Sequence, residues 1–199
     1  MDQDPKHDFN ARHFRAFAIA LTARDPYTGF HCDRVLNLCA ELGLSCGLTM
    51  RELSLLQSAA VMHDVGKVAI PDHILLKPGR LDEDEMAMMQ AHAARGANLL
   101  QALQMEELED VVLAVRHHHE SFDGSGYPHS IAGEAIPIIS RIIALTDSYD
   151  AIATARPYHS ARNHAETMRI IDAETGVKFD PYLVAKFMPV IESSGFRAP

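Results

Sequence analysis

Cysteine is scarce in this chain, with three residues among 199. Cys32, Cys39 and Cys46 recur every seven residues, which puts them on roughly one face of a helix, and they form neither a CxxC pair nor an even set. This pattern disfavours a disulfide framework or a thiolate metal site. We interpret all three as small apolar residues packed in a reducing cytoplasm.

Long hydrophobic runs are also missing. The longest apolar-looking stretch, Leu53 to Met62, contains Ser and Gln and is much shorter than the ~20 residues that a membrane helix needs. The apolar stretch from Ala16 to Ala23 is followed by Arg24-Asp25 without a persuasive cleavage site, which argues against a signal peptide. We therefore expect a cytoplasmic protein without a membrane span.

Basic residues are outnumbered, and the formal net charge is −9. Phosphate contacts along a nucleic acid need a basic face, so broad electrostatic binding to nucleic acid is disfavoured. A small anionic ligand stays compatible with this charge, because bound divalent ions would add strong local positive charge that the formal count omits.

The hydrophobic content of 47% is sufficient for a real core, and no linker or repeat divides the sequence. Residues 1–199 are therefore interpreted as one all-α domain. A Thr49–Glu52 capping box opens the clearest helix, whose stripe of Leu53, Leu56, Ala60, His63 and Lys67 ends near Gly66 and Pro71. Other helices are expected at 9–24, 31–46, 81–89, 92–103, 107–119, from Pro137 onward, 163–175 and 181–193. Residues 121–136 are expected to form an ordered loop, and Met86, Met88 and Met89 to pack adaptably in the core.

Histidines and acids stand at spacings typical of a metal site. Nitrogen and oxygen donors without cysteine suit six-coordinate Fe or Mn, with Ni or Co as alternatives, whereas structural zinc more often recruits thiolates. A histidine beside a carboxylate at a helix end can hold one ion while the second oxygen of the carboxylate reaches another. The pattern predicts two divalent ions and metal-assisted hydrolysis by a shared hydroxide, with the ions roughly 3.5–4 Å apart. The residues are His31, His63, Asp64, His92, His118, His119, Glu120, Asp123 and Asp147.

Two segments resemble the HD-GYP family of cyclic dinucleotide phosphodiesterases. They are His63-Asp64-Val65-Gly66-Lys67 and His118-His119-Glu120 followed by Asp123-Gly124-Ser125-Gly126-Tyr127-Pro128. The resemblance covers about residues 24–190 and implies an HD-domain helical bundle with an ordered GYP loop. Residues 1–23 would then be an N-terminal helix or the remnant of a linker to a missing regulatory domain. Further matches are Thr28-Gly29, Leu76-Lys77-Pro78-Gly79, His92, Arg141-Ile142, Asp147 to Ala151, Arg156-Pro157-Tyr158 and Phe179-Asp180-Pro181.

The resemblance implies a role for each matched residue. One ion would be held by His31, His63, Asp64 and Asp147, and the other by Asp64, His92, His118 and His119. Lys67 would contact the scissile phosphate, and Asp150 would orient a ligating histidine or Lys67. Arg156 would contact the nucleotide, and Tyr127 would order the loop or approach a base. Two alternatives stay open. Lys67 could be a solvated lysine at a helix end, and Arg156 and Tyr158 could have only a structural role, forming hydrogen bonds within loops. His117 lies outside the matched frame, and His73 and His129 have no motif, so none is given a ligand role.

The chain departs from the family pattern at two positions. Tyr27 stands where many members carry a glutamate associated with a third metal, which favours two ions. His159 replaces a lysine or arginine that follows the Arg-Pro-Tyr segment and removes a phosphate contact at neutral pH.

Three functions fit these residues. The first is hydrolysis of cyclic di-GMP to pGpG, with further cleavage to GMP left open, and the second is a preference for pGpG or cyclic GMP-AMP. The third is a low-turnover dinucleotide sensor or partner-binding module. A homodimer and a regulatory protein acting in trans are the protein partners that stay open.

Substrate choice is the testable consequence of His159. Because a neutral imidazole holds the second phosphate of a cyclic dinucleotide weakly, we predict that pGpG competes well with cyclic di-GMP, and that His159→Lys shifts preference toward the cyclic substrate. Specificity constants for both substrates, measured at one pH with verified metal content, check this. An unchanged ratio would remove His159 from substrate choice.

Overall fold

The computed structural model describes residues 28–154 and 161–199, together with Phe14, Phe17 and Arg24 as single positions. Nine α-helices occur in this part of the chain, and no β-strand does. The expectation of an all-α protein is confirmed. Most of the helix expected at 9–24 lies outside the described residues. The helices are α1 Thr28–Ser45, α2 Met50–Met62, α3 Asp72–Leu75, α4 Glu83–Gln90, α5 His92–Gln101, α6 Glu109–His117, α7 Ile138–Ala153, α8 His164–Ala173 and α9 Pro181–Ser193.

The core lies where α1 packs on α2, α7 and α9, and where α6 packs on α2 and α5. Leu38 and Leu42 of α1, Leu56 of α2, Ile142 of α7 and Phe187 of α9 are all almost fully buried. Because the apolar stripes of these helices face one another, polar residues at the helix ends come together at one side of the core. Among the described residues, no helix has both the length and the apolar content needed to cross a bilayer.

Local signals place several helix boundaries as expected. The Thr49 hydroxyl accepts a hydrogen bond from the Glu52 amide, and the Glu52 carboxylate accepts one from the Thr49 amide, so the expected capping box is present. Asn163 caps α8, and Pro181 begins α9. Cys39 is buried in the core, Cys32 is buried and Cys46 is half-buried, and all three are free. Burial raises the pKa of Cys32 and Cys39 to about 12, so both stay protonated.

Two expectations are wrong. Met86 and Met88 are 44% and 37% exposed, because α4 buries none of its residues. The α2 helix does not continue as one stripe to Lys67: it ends at Met62, and Val65–Ala69 forms a 3₁₀ turn.

Gly66 explains this change of direction. A Cβ atom on Gly66 would lie 1.9 Å from the carbonyl oxygen of His92 and 2.5 Å from the amide nitrogen of Gly96. The 3₁₀ turn therefore touches α5 backbone to backbone, which only glycine permits. This contact sets the distance between the segment that carries Asp64 and the helix that carries His92.

Gly66→Ala is predicted to destabilise the protein, because the obstructing atoms are backbone atoms that cannot rotate away. We expect the free energy of unfolding to fall by about 1–3 kcal/mol, measured by denaturant titration. Gly79→Ala is the matched control, since its Cβ would meet nothing within 4 Å. Equal stability of the two variants would contradict the role given to this contact.

Candidate active site

Asp64 lies at the centre of the polar cluster. It follows the end of α2 with φ −95° and ψ 2°, in a sparsely populated backbone region that often holds active-site residues. Its Oδ1 lies 3.4 Å from Nε2 of His92, and its Oδ2 lies 3.5 Å from Nε2 of His63. The two oxygens of one buried carboxylate thus face two different histidine groups.

The histidines and acids around Asp64 form two clusters. His31, His63 and Asp64 make one, and the ligand atoms within it all lie within 4.8 Å of one another. His92, His118 and His119 make the other by the same criterion. Asp147 lies beside the first cluster, with Oδ1 3.1 Å from Nε2 of His31. All seven residues given a ligand role by the resemblance are therefore brought together by α1, α5, α7 and the ends of α2 and α6.

Hydrogen bonds to the backbone orient three of the histidines. Nδ1 of His63 lies 2.7 Å from the Ala60 carbonyl, Nδ1 of His92 lies 2.7 Å from that of Met89, and Nδ1 of His118 lies 2.6 Å from that of Val115. A carbonyl only accepts, so each Nδ1 carries the proton and each Nε2 presents a lone pair.

A carboxylate orients the fourth histidine. Nδ1 of His31 donates to Oδ2 of Asp150 over 2.6 Å, and Arg34 donates to both oxygens of the same carboxylate. Burial disfavours the charged form of His31, but the hydrogen bonds to Asp147 and Asp150 outweigh it and raise the pKa to about 9. The geometry agrees with the expectation that Asp150 orients a ligating histidine.

The charge states around Asp64 suit a cation. Burial lowers the pKa of His92, lowers that of His118 well below its usual value, and lowers that of His119 to about 3, so these imidazoles are neutral. Burial opposes ionisation of Asp64, yet the Lys67 ammonium beside it holds the pKa of this carboxyl well below the usual range. Neutral imidazoles and ionised carboxylates are the protonation states that bind metals. His31, with its raised pKa, would have to release the proton on Nε2 before it could bind an ion.

Two features of these clusters are best explained by bound cations. Nε2 of His63 is buried and has no hydrogen-bond partner among the described residues. Nε2 of His92 lies 3.3 Å from Nε2 of His118, so two lone pairs face one point. A buried lone pair without a partner, and two lone pairs facing each other, both cost free energy unless a cation lies beside them. The residues present therefore fit a metal.

Lys67 reaches the same carboxylate from the 3₁₀ turn, where its ammonium donates to Oδ2 of Asp64 over 2.7 Å. The Arg24 guanidinium supports this turn by donating to the carbonyls of Lys67, Val68 and Ile70. A positive charge thus stands at the edge of the centre, 19% exposed at its side chain.

The loop that follows α6 lies over the second cluster. The Tyr127 ring is 4.9 Å from the His119 ring, centroid to centroid, and the Tyr127 amide donates to the His119 carbonyl. A Cβ on Gly126 would lie 2.2 Å from the Ser121 amide nitrogen, so the backbone at Gly126 turns back into contact with the start of this loop. Residues 121–136, expected to form an ordered loop, consist of turns and one 3₁₀ turn, Gly133–Ala135.

Four residues from the sequence argument, Tyr27, Arg156, Tyr158 and His159, lie outside the described residues. Arg34 was missed, although its place three residues after His31 puts both on one face of α1. A third group, His117, Glu120 and His129, was also missed. Glu120 was among the candidate metal-site residues, but it was not grouped with His117 or His129.

A family described as HD domain matches residues 15–183. The chain belongs to the HD-domain family. The match includes every member of the two clusters and most of the described helices.

Relatives and solved structures agree with this membership. The chain is 40% identical over 84% of its length to the cyclic di-GMP phosphodiesterase response regulator RpfG of Xanthomonas campestris, and equally to the 3′3′-cGAMP-specific phosphodiesterase 2 of Vibrio cholerae. It spans 44% and 32% of those two proteins. The HD domain of the Listeria monocytogenes phosphodiesterase PgpH, solved with cyclic-di-AMP, has a similar fold, with a TM-score of 0.61 and 17% identity. The match covers 88% of this chain and 92% of the PgpH domain. An HDG"Y"P protein from Bdellovibrio bacteriovorus matches 94% of the chain, and the match covers 62% of that protein, with 16% identity and a TM-score of 0.67. The predicted resemblance to HD-GYP phosphodiesterases is confirmed.

Asp64→Ala is predicted to remove both ions, because Asp64 is the one carboxylate that faces both described clusters. Metal analysis of purified protein should show loss of the two ions of the Asp64 centre, and turnover should be abolished, while exposed Asp84→Ala keeps both the ions and the turnover. Circular dichroism verifies that the variant is folded. Two equivalents of metal with near-normal activity in Asp64→Ala would show that Asp64 is not a bridge.

Proposed function

We propose that this chain is a metal-dependent phosphodiesterase that hydrolyses cyclic di-GMP to pGpG. The observation that supports it most is the position of Asp64, whose two oxygens face two separate histidine groups, 3.4 and 3.5 Å away. Such a carboxylate is suited to bridge two ions. We assign His31, His63, Asp64 and Asp147 to one ion, and Asp64, His92, His118 and His119 to the other, with Fe or Mn as the metal.

The residues divide the work of hydrolysis. When bound, the ions supply a hydroxide nucleophile and the charge that polarises a phosphoryl oxygen. Asp150 and the backbone carbonyls hold the imidazoles in the tautomer that directs Nε2 inward. Lys67 exchanges its contact with Asp64 for the scissile phosphate and stabilises the charge that develops there. Tyr127, on its loop beside His119, closes one side of the site against water and offers a ring for a base to stack on.

The substrate class follows from the relatives. Proteins of equal similarity to this chain are named for cyclic di-GMP and for 3′3′-cGAMP. Cyclic GMP-AMP is therefore the second candidate substrate. Both have the same ring of two 3′,5′-phosphodiesters, so the metal centre treats them alike and base contacts must separate them.

A sensor without turnover is the competing function. The seven clustered residues, five of which are buried, the oriented tautomers and the ammonium beside Asp64 favour an enzyme, because binding alone does not require a nucleophile to be generated. Incubation of anaerobically metallated protein with cyclic di-GMP, and separately with 3′3′-cGAMP, decides between the two. Appearance of linear dinucleotide supports the proposal, and tight binding without product would replace it with the sensor.

Lys67→Ala is predicted to lower kcat by about 100-fold, since one preorganised charge is lost from the phosphate in the transition state. Metal content should stay intact, because the bound ions compensate the charge of Asp64. Lys178→Ala, at an exposed lysine, is the control and should behave as wild type. Unchanged turnover at saturating substrate would show that Lys67 only forms an ion pair with Asp64 and does not stabilise the transition state.

A further inference from the structure

A third group of potential ligands lies apart from the two clusters at Asp64. His117 ends α6, Glu120 lies three residues later, and His129 follows Tyr127-Pro128 in the loop. One ligand atom of each residue lies within 4.8 Å of the others. The centroids of the two imidazole rings are 5.2 Å apart. Nothing in the hydrolytic roles assigned above uses these three side chains.

Glu120 is the residue that points to a ligand. Its side chain is buried, and Oε1 accepts a hydrogen bond from the His129 amide over 2.8 Å and lies 3.2 Å from Nδ1 of His117. Its other oxygen, Oε2, is buried and has no hydrogen-bond partner in the described part of the chain. Holding the loop through the His129 amide requires only Oε1. This role therefore does not explain why Oε2 is buried without a partner. A cation beside Oε2 would satisfy it.

The two histidines suit the same ion for different reasons. His117 is buried at 8% exposure and is fixed at a helix end, so its position costs little further ordering. His129 is exposed, but its backbone is already held to Oε1 of Glu120. Two imidazoles and one carboxylate are a donor set that zinc and its neighbours among divalent ions prefer, with water in the remaining position.

We propose that His117, Glu120 and His129 form a further metal site that takes one divalent ion of the zinc class, separate from the centre at Asp64. The ion joins the end of α6 to the loop two residues beyond Tyr127. Because the Tyr127 ring lies against His119, the ion secures the loop that covers the second cluster. Its role is to hold the loop closed, and it takes no part in the attack on phosphorus.

Zinc stoichiometry tests the site. Wild type, His129→Ala and the control His73→Ala are dialysed against Zn²⁺ and analysed for metal per chain. His73 is likewise exposed but lies outside all three groups of ligands. We expect His129→Ala to bind about one zinc ion fewer than the other two proteins. His129→Ala keeps the backbone bond to Glu120, so loss of zinc is not explained by loss of the loop contact.

Glu120→Gln separates a built site from weak binding to one surface histidine. The amide oxygen can still accept from the His129 amide, but the charge is gone, and we expect the same loss of one ion. Amide hydrogen exchange in residues 120–133 should slow on zinc addition in wild type and not in either variant. An anomalous difference map at the zinc edge locates the ion in the wild-type protein.

Equal zinc content in wild type and His129→Ala, or retention of the ion by Glu120→Gln, would overturn the proposal. A map with zinc only at the Asp64 centre would do the same. None of these measurements depends on turnover. Failure to hydrolyse a cyclic dinucleotide therefore leaves this site standing, and loss of this site leaves the assignment of the hydrolytic centre untouched.

Discussion

The centre depends on one repeated interaction, in which a histidine donates from Nδ1 to the backbone carbonyl three residues earlier. His63, His92 and His118 all do so, and each carbonyl belongs to the last turn of a helix. Carbonyls in a last turn lack an intrahelical donor, so the imidazole satisfies the helix end while the helix end fixes the tautomer. Three helices that point their carboxyl ends at one place are therefore enough to aim three Nε2 atoms inward, and Asp64 needs only to lie between them.

Charge is balanced locally around this arrangement and not over the whole molecule. Asp150 is buried, and Arg34 and His31 both donate hydrogen bonds to it. These donors offset its negative charge, so Asp150 adds little to the potential at the cluster around Asp64. Asp64 and Asp147 keep their charge for the centre, where burial alone would discharge them. The net charge of −9 on the chain therefore says little about the potential that an anionic ligand would meet at the site.

Local signals were enough for the elements whose boundaries are set by local chemistry. The capping box at Thr49, the helix Pro181–Ser193 and the loop after α6 could all be predicted from neighbouring residues. The 3₁₀ turn Val65–Ala69 could not, because it depends on α5, which lies some thirty residues further along the chain. The methionines of α4 were misjudged for the same reason, since burial depends on what a helix packs against. The candidate ligands around Asp64 could be predicted from a motif. His129 lies near His117 only because Glu120 holds the returning loop, and no motif indicates this.

The backbone contact at Gly66 has a consequence for which ions the centre accepts. Long side chains allow an interface to adjust, because they can change rotamer when the elements on either side move apart. At Gly66 no side chain separates the segment that carries Asp64 from the helix that carries His92, and the two backbones are at contact distance. We expect the spacing of their donor atoms to be stiff, so that the centre discriminates among ions of equal charge by their radius.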